Sequence, residues 1–455
     1  MDFENLFAKR ANHIKPGLER IRKSYDYLHK PAVQIPSVLV GGTNGKGSTS
    51  GFIWALMSLS KKRIGLYSSP HLVEFSERFQ ISGLDLNDAH VDSVHERLKA
   101  SLSDELYGEL SFFEIATLLA FRIFEESQAD FQVLEVGLGG RWDATNVSDP
   151  SASIVVSVSR DHKEYLGDEL LSILGEKLAI SRSGRPLFWG AQGEVMDEPG
   201  LAERLARHVD DTGCILYTRG VHFQADATTL TVSLPNREKI ELPLVGITAD
   251  MPEYLRHNLS LAAAFYHWNA KQVGEPSWPP LTTIWPEFCK GHTRSPITLA
   301  GRAQRITSRT ESPRKFLIDV CHNPDGARAF AAAIRELYPQ KMLPAYVSIL
   351  KDKDCDTILD ILRSVLHPVI LFGIENERSW DLSSLAKRHR DLPFFASLDE
   401  AWSKTVPPGQ MSEPWAICGS VAAVGSALNQ MKVSPKELSL ASIISGDWSP
   451  TPHKP

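Results

Sequence analysis

The stretch Pro36–Thr49, PSVLVGGTNGKGST, decides the fold of this 455-residue chain. It opens with the apolar run Pro36–Gly41, typical of a buried strand, continues through the glycine-rich loop Gly42–Thr49, and enters a helix predicted over Ser48–Ser60. The glycines let backbone N–H groups turn toward phosphate oxygens, the helix start adds positive potential, and Lys46 supplies a full charge. Strand, loop and helix in this order predict a nucleotide-binding α/β domain.

The loop differs from a strict Walker A sequence, because Gly47 separates Lys46 from the hydroxyl of Ser48 and the first glycine lies closer to the Gly-Lys pair. We expect Ser48 to offer its hydroxyl to a nucleotide-bound Mg²⁺. The alternative is a turn that only caps a helix. A GTPase is disfavoured because no base-reading [NT]-Lys-x-Asp motif follows. The residues predicted to bind the nucleotide here are Thr43, Asn44, Gly45, Lys46, Gly47, Ser48 and Thr49.

The composition excludes several classes of protein. Hydrophobic residues make up 42% and charged residues 23% of the chain, which argues against disorder. Lys and Arg number 49 against 55 Asp and Glu, so the formal charge of −6 offers no field for nucleic acid. The five cysteines are scattered without a CxxC pair, as in a reduced cytosolic protein. No leader-like or membrane-spanning apolar run is recognised, so we expect a cytoplasmic protein without a membrane partner.

Short β-branched runs alternate with helical patterns and predict an α/β fold with parallel sheets. The first domain, 1–295, is expected to be P-loop-type and mainly parallel, with a small antiparallel addition inside Cys214–Val245. A smaller, Rossmann-like α/β domain is expected over 296–432, and residues 433–455 form a tail without an assigned role. The main strands are predicted at Arg63–Tyr67, Phe131–Val136, Ala152–Ser157, Phe316–Val320, Ala345–Ile349, Pro368–Phe372 and Trp415–Cys418, and helices at Phe112–Glu126 and Arg256–Ala270.

Polar residues follow several of these strands. Glu135 lies near the end of the run FQVLEV, before a glycine-rich turn, where a carboxylate is well placed to bind Mg²⁺, although it could instead pair with a surface lysine. Asp161-His162 follows the next strand and is balanced between a metal or phosphate role and a helix cap with a solvated histidine. Ser68-Ser69 follows another strand, and its spacing does not distinguish a metal ligand from an ordinary turn.

Ten motifs in order resemble one family. In the first domain they are GTNGKGST (42–49), SSPHLVEFSERFQISG (68–83), SFFEIATLLAF (111–121), EVGLGGRWDATN (135–146), DHKEYLGD (161–168) and EKLAI (176–180). In the second they are GRAQRI (301–306), DVCHNPDGAR (319–328), ILKDKD (349–354) and CGSVAAVG (418–425). Together, over Lys15 to Gln430, they resemble folylpolyglutamate synthase/dihydrofolate synthase of the ATP-dependent Mur ligase superfamily.

The resemblance implies roles for individual residues. Ser69 and Glu135 match Mg²⁺ ligands, and His162 matches the histidine that joins them at a second metal site. Lys177 matches a lysine that is carbamylated in relatives, although by its sequence alone it would be a solvated helix lysine. Asp143, with Ala144, matches a pterin-contacting site. The residues that match further nucleotide contacts are Asn258, Arg302, Asp319 and His322.

The implied activity is ATP-dependent addition of L-glutamate to dihydropteroate, to reduced folate, or to both, through an acyl phosphate, with release of ADP and phosphate. Lys46, Glu135, His162 and Lys177 would be the catalytic residues. Two Mg²⁺ sites, small-molecule partners only, a monomeric state and a place in folate biosynthesis and one-carbon metabolism are expected. The alternatives are another Mur-type amino-acid ligase and a nucleotide-binding regulatory protein that has lost catalysis.

Seven residues, in four places, depart from the family pattern. Ser159-Arg160 precede Asp161 where Gly-Leu is common, Leu178-Ala179 replace Ala-Gly, and Val320-Cys321 stand where small residues are usual. None of these removes a proposed ligand. Trp142 replaces a leucine beside Asp143, so it bears on the choice of pterin substrate.

Overall fold

The computed structural model describes most of the chain, which folds into two compact units. The described residues are 16–161, 167, 169–191, 193–244, 251–272, 278–291, 300–310, 313–375, 378–380, 384, 387–405, 414–435 and 438. The first unit holds the described residues up to Pro243, with 257–272 and 278–288; the second holds Leu244, 251–256, 289–291 and the described residues from Ala300 onward. The continuous division at 295/296 stays a prediction.

The first unit is built on a seven-stranded sheet in the described part of the chain, ordered β3-β2-β4-β1-β5-β6-β7. All neighbours pair in parallel except β3, which runs antiparallel to β2 at one edge. The strands are β1 (Ser37–Gly41), β2 (Ile64–Tyr67), β3 (Phe79–Ile81), β4 (Phe131–Glu135), β5 (Ala152–Val155), β6 (Pro186–Trp189) and β7 (Ile215–Thr218). The expected mainly parallel sheet is confirmed.

Helices of the first unit cover the sheet because their apolar residues have no other place to be buried. They are α1 (Glu19–Tyr27), α2 (Lys46–Ser58), α3 (Asp88–Ala100), α4 (Asp104–Glu109), α5 (Phe112–Glu126), α6 (Leu170–Leu178) and α7 (Leu201–Thr212). Helix α5 has the predicted bounds: Ser111 and Glu114 form a capping box at its start, and most of its faces are buried. Three short 3₁₀ helices lie at Phe75–Arg78, Ala144–Val147 and Gly193–Asp197.

The predicted antiparallel addition is a three-stranded sheet, made of β8 (Phe223–Ala225), β9 (Thr229–Val232) and β10 (Ile240–Pro243). Within Cys214–Val245 the first strand, β7, instead pairs in parallel with β6 and extends the large sheet. The helices α8 (Glu253–Gln272) and α9 (Leu281–Cys289) follow, and α9 accommodates Pro286 within its length. No helix was predicted here, because the sequence around α9 is rich in proline.

The second unit has a six-stranded sheet in its described part, ordered β11-β12-β16-β13-β14-β15. Only β11 is antiparallel to its neighbour. The strands are β11 (Gln304–Thr307), β12 (Lys315–Asp319), β13 (Leu343–Val347), β14 (Leu366–Phe372), β15 (Phe394–Phe395) and β16 (Trp415–Cys418), and the helices are α10 (Pro324–Leu337), α11 (Cys355–Arg363), α12 (Leu398–Thr405) and α13 (Val421–Met431). A second α/β fold, as expected, is confirmed. Among the described residues, no helix combines the length and the hydrophobicity needed to cross a bilayer.

Candidate active site

The predicted site residues of the first unit gather at one edge of its sheet. Strands β1, β2, β4 and β5 are parallel, so their carboxyl ends meet at that edge. The phosphate loop follows β1, Ser69 follows β2, Glu135 ends β4, and Ser157 to Asp161 follow β5. Residues that are distant in the chain are brought together in this way.

Two glycines allow the phosphate loop to turn. Gly42 and Gly45 have φ angles of 144° and 84°, which residues with a Cβ rarely adopt. The loop is then fixed to the segment after β5: the Thr43 N–H donates to the Ser157 carbonyl at 2.9 Å, and the Asn44 N–H donates to Ser157 Oγ at 2.9 Å. Thr43 Oγ1 donates to the carbonyl of Ser159 at 3.1 Å and accepts from its N–H at 3.0 Å. These four hydrogen bonds fix the phosphate loop to the segment after β5.

Lys46 begins α2 and folds back over the loop. Its Nζ donates to the carbonyls of Gly42 and Thr43, both at 3.1 Å. Ser48, in the first turn of α2, is fully buried, and its Oγ has no hydrogen-bond partner among the described residues. Burying a hydroxyl without a hydrogen-bond partner normally destabilises a fold. The position of Ser48 Oγ is therefore consistent with a ligand that binds here. A phosphate-bound divalent cation has the required chemistry.

Asn258 lies against the loop from helix α8. A Cβ placed on Gly45 would come within 2.8 Å of Asn258 Oδ1 and 2.9 Å of a Val156 methyl group. Gly45 is therefore required both by its backbone angle and by the closeness of these two side chains. Asn258 is buried beside the nucleotide loop.

Glu135 and Ser69 are also adjacent. The Ser69 N–H donates to Glu135 Oε2 at 3.0 Å, and the Glu135 side chain is buried at the end of β4. Arg78 is buried nearby and its charge acts on Glu135. A buried carboxylate at this position offers the oxygen ligands that Mg²⁺ prefers.

The loop after Ser69 is organised by its own charged side chains. Glu77 accepts hydrogen bonds from the N–H groups of Leu72, Val73 and Glu74 at 2.9, 2.7 and 2.6 Å. Arg78 Nε donates to His71 Nδ1 at 2.9 Å. Burial, together with the charge of Arg78, lowers the pKa of His71 to about 3, so this imidazole is a neutral acceptor. Neither His71 nor Arg78 was singled out in the sequence, although both lie inside a family motif.

Asp143 organises the glycine turn that follows β4. Its Oδ2 accepts from the N–H groups of Gly137 and Leu138 at 2.9 and 3.0 Å, and its Oδ1 accepts from the N–H and hydroxyl of Thr145 at 3.0 and 2.6 Å. Burial raises the pKa of the Asp143 carboxyl, and these hydrogen bonds oppose the rise. Ala144, the next residue, is buried at the start of a 3₁₀ helix. The geometry gives Asp143 a positioning function, and its predicted pterin contact stays a prediction.

The same turn packs against the end of α6, which carries Lys177. A Cβ on Gly140 would come within 2.6 Å of the Glu176 carbonyl and 3.3 Å of the Lys177 Cα. Arg141 fixes the contact by donating its N–H to that carbonyl and its Nε to Glu176 Oε1, both at 3.0 Å. The turn and the Lys177 helix therefore form one packed layer.

Lys177 is only 3% exposed. Burial, with the charge of Lys46 as the second cause, lowers the pKa of the Lys177 ammonium to about 7, and Asp161 opposes the shift. Burial and the nearby positive charge therefore favour the uncharged amine over the ammonium. The interpretation of Lys177 as a solvated helix lysine was wrong, because packing of α6 against the turn at Gly140 buries its side chain.

The metal ligands can be placed only in part. Ser48, Ser69, Glu135 and Asp161 all lie at the carboxyl edge of the first sheet, whereas His162 falls outside the described residues. The part of the chain that the structure describes contains no group of three or more His, Cys, Asp or Glu residues able to cage a metal ion. One carboxylate and hydroxyls fit Mg²⁺ bound largely through substrate phosphates and water.

The second unit carries the other predicted nucleotide residues. Asp319 ends β12, is buried, and accepts from the N–H groups of Ala303 and Cys321, both at 2.8 Å. Burial raises the pKa of Asp319, while the charge of Arg302 opposes the rise. His322 lies three residues on, with Nδ1 at 3.1 Å from the Val320 carbonyl. Asp319, Arg302 and His322 therefore belong to one carboxyl-end loop cluster of the second sheet.

No signal in the sequence indicated the contacts that Ser157 and Ser159 make with the phosphate loop. Ser157 accepts from Asn44, and Ser159 exchanges two hydrogen bonds with Thr43. These contacts arise only because the parallel pairing of β1 with β5 brings the two loops together.

Comparison with known proteins gives a consistent family. Residues 301–411 match the model of the Mur ligase glutamate ligase domain. The chain is 31% identical over 433 residues to dihydrofolate synthase/folylpolyglutamate synthase of Escherichia coli strain K12, covering 93% of each chain. It is also similar to a crystal structure of bifunctional folylpolyglutamate synthase/dihydrofolate synthase with Mn, AMPPNP and L-glutamate bound, with TM-score 0.77, 26% identity and coverage of 95% and 98% of the two chains. The E. coli FolC structure in complex with DHPP and ADP gives TM-score 0.77, 27% identity and coverage of 94% and 96%.

Proposed function

The chain belongs to the dihydrofolate synthase/folylpolyglutamate synthase family of ATP-dependent ligases, and from this premise we propose that it joins L-glutamate both to dihydropteroate and to reduced folate. The observation that carries the proposal is the meeting of the phosphate loop, Glu135 and Lys177 at one edge of the first sheet. A phosphate-binding loop, a buried carboxylate and a buried lysine are the groups needed to activate a carboxylate with a nucleoside triphosphate.

ATP and a divalent cation are the expected ligands of this edge, since relatives bind AMPPNP and Mn. The loop N–H groups and Lys46 would hold the phosphates. Ser48, Ser69 and Glu135 would hold the cation, with His162 completing a second site; when bound, the cation supplies positive charge to the phosphate oxygens. The unpartnered Ser48 hydroxyl supports this assignment.

The reaction begins at the carboxylate of the pteroate or folate substrate. Its oxygen attacks the γ-phosphorus of ATP, the bond to the β-phosphate oxygen breaks, and ADP leaves an acyl phosphate behind. The α-amine of L-glutamate then attacks the acyl carbon, the bond from that carbon to the phosphate oxygen breaks, and the amide forms as the nitrogen releases a proton and phosphate departs. Lys46 stabilises the charge that develops on the phosphoryl oxygens, because it is already held over the loop.

Lys177 is the proposed site of carbamylation. CO₂ reacts only with an uncharged amine, forming an N–C bond and releasing one proton. Burial and the nearby Lys46 supply that amine at neutral pH by lowering the pKa of Lys177. The product is a carboxylate on a buried stem, which would face the positive charge of Lys46 and complete the cation site.

The domain assignment is proposed in the same terms. Residues 1–295 would bind ATP and the pteroate or folate, 296–432 would form the glutamate ligase domain, and 433–455 have no assigned role. Asn258, Arg302, Asp319 and His322 are proposed as further nucleotide contacts. Asp143 and Ala144 would shape the pterin end of the substrate site. We expect a monomer that works in the cytoplasm with small-molecule partners only.

ADP release tests the proposal. Purified protein would be given ATP, Mg²⁺ and L-glutamate with dihydropteroate, with tetrahydrofolate, or with a uridine-linked cell-wall precursor. We expect ADP release with both folate-pathway acceptors, and mass spectrometry should show each acceptor heavier by one glutamyl residue. Release with the uridine-linked acceptor alone would indicate another Mur-type ligase, and ATP binding without release under any condition would indicate a regulatory protein.

A further inference from the structure

Tyr254, in the first turn of α8, contacts a residue of the proposed nucleotide site. Its hydroxyl donates to Asp319 Oδ2 at 3.1 Å, and its ring packs against the hydrophobic core of the second unit. Neither the sequence pattern nor the family motifs singled out Tyr254. The acceptor is a buried carboxylate, and a hydrogen bond to a carboxylate is stronger than one between two neutral groups.

The Asp319 carboxylate is nearly saturated by the protein. Oδ2 accepts from Tyr254 and from the Ala303 N–H at 2.8 Å, and Oδ1 accepts from the Cys321 N–H at 2.8 Å. A carboxylate offers about four acceptor positions, so the described residues leave one, on Oδ1. The donors on Oδ2 fix the rotation of the carboxylate and hence the direction in which this last position points.

The turn that carries Tyr254 is itself held in place. Glu336 accepts from the Glu253 N–H at 3.0 Å through Oε2 and from Arg256 Nη1 at 2.6 Å through Oε1. Arg256 also donates to the Met251 carbonyl at 2.5 Å. These hydrogen bonds hold the first turn of α8 in place, so the position of the Tyr254 hydroxyl is fixed.

We infer that Tyr254 is a positioning residue for nucleotide binding: it orients Asp319 so that the remaining acceptor position of Oδ1 receives one hydroxyl of the ATP ribose. The inference rests on the proposed function in one respect, the assignment of Asp319 to the nucleotide. A carboxylate with a single open acceptor position accepts from one donor, and we assign that donor to the ribose, which carries the hydroxyl groups of ATP.

The test first removes the Tyr254 hydroxyl and then the ribose hydroxyl that Asp319 is expected to bind. Tyr254→Phe is expected to raise the KM for ATP about 10-fold with kcat within about twofold of wild type, the size of one lost bond to a charged group. With 2′-deoxy-ATP or 3′-deoxy-ATP, whichever lacks the bound hydroxyl, the same substitution should change KM by less than about twofold, because the two effects share one contact.

Tyr346→Phe is the matched control. Tyr346 is buried in the same unit and its hydroxyl lies 2.9 Å from Thr405 Oγ1, so its loss removes a comparable hydrogen bond away from Asp319. We expect the melting temperature of Tyr346→Phe to fall as much as that of Tyr254→Phe, but the KM for ATP to stay unchanged. Glu336→Gln, which loosens the turn without touching Asp319, should raise that KM about threefold with the same dependence on the ribose hydroxyl.

Two results would overturn the inference: an equal KM rise in Tyr254→Phe for ATP and for both deoxynucleotides, or an unchanged KM for ATP. Calorimetric titration with AMPPNP measures nucleotide affinity without turnover. It therefore tests Tyr254 even if the wild-type protein releases no ADP with dihydropteroate and glutamate, an outcome that would defeat only the proposed function.

Discussion

The two sheets carry polar groups at the same kind of edge but treat them differently. In the first unit the carboxyl edge holds a buried hydroxyl without a partner, Ser48, and a buried amine with a pKa near 7, Lys177. In the second unit the Asp319 carboxylate receives three hydrogen bonds. The first edge is therefore arranged for a ligand at the expense of stability, whereas the second is arranged as a rigid contact surface. Substitutions at the first edge should abolish activity without unfolding the protein, and those at the second should weaken both.

Lys46→Met should give the largest effect. We expect kcat/KM to fall about 1000-fold because the variant loses the charge over the phosphates, while the melting temperature stays within about 2 °C. ADP release and thermal unfolding measure the two quantities. Lys62→Met is the matched control: Lys62 is a lysine of the same unit whose Nζ lies 4.0 Å from Asp130, and its loss should leave activity unchanged. A large fall in melting temperature in Lys46→Met would remove the contrast between the edges.

Lys177→Leu should lower activity at least about 100-fold and raise stability. The native pKa is lowered from 10.5 to about 7, so between these pH values the unfolded chain binds a proton that the native protein has released. Stability from this group therefore rises with pH across that window, and the penalty is complete below about pH 7. Urea unfolding at pH 7, 8 and 9 in CO₂-free buffer should show a smaller rise in the variant. Equal slopes for both proteins would contradict the buried-amine interpretation.

Asp319→Ala should behave in the opposite way. Two backbone N–H groups and the Tyr254 hydroxyl lose their acceptor, so we expect a loss of about 2–3 kcal/mol in the free energy of unfolding together with weaker ATP binding. Asp325→Ala, which removes an exposed carboxylate paired with Arg328, is the control and should do neither. If Asp319→Ala lost ATP affinity at unchanged stability, the second edge would not be a rigid scaffold.

Trp142→Leu should give the smallest effect. Its indole is 49% exposed, so the free energy of unfolding should change by less than about 0.5 kcal/mol. The substitution restores the family's usual residue beside Asp143, and we expect the KM ratio of dihydropteroate to tetrahydrofolate to shift by up to about fivefold, since one apolar contact is worth little more. Trp142→Phe should keep the wild-type ratio. A parallel shift of both KM values would show that Trp142 does not discriminate between the substrates.

The sequence predicted the features that depend on local pattern. The apolar run before Gly42, the helix that begins at the capping box of Ser111 and Glu114, and the alternation of β9 and β10 each depend on residues close in the chain, and the structure has them. Strand β11 was missed, since four residues of mixed polarity carry little periodicity and only pairing with β12 defines the strand.

The site was predicted to the same depth. Strand ends located Glu135, and the family motifs located Lys177, but its burial depends on packing of α6 against the turn at Gly140. The donors around Asp143 and Asp319 come largely from backbone N–H groups, which any sequence possesses. No pattern of side chains could have indicated them.

The short antiparallel strand at one margin of the large sheet and the two-residue β15 at one margin of the second have a consequence for behaviour at high concentration. A sheet margin with many open N–H and C=O groups can recruit a strand from another molecule and start aggregation. β3 offers three residues and β15 two, so neither margin gives a neighbouring chain enough register to add a strand. We therefore expect little aggregation through these two margins at high protein concentration.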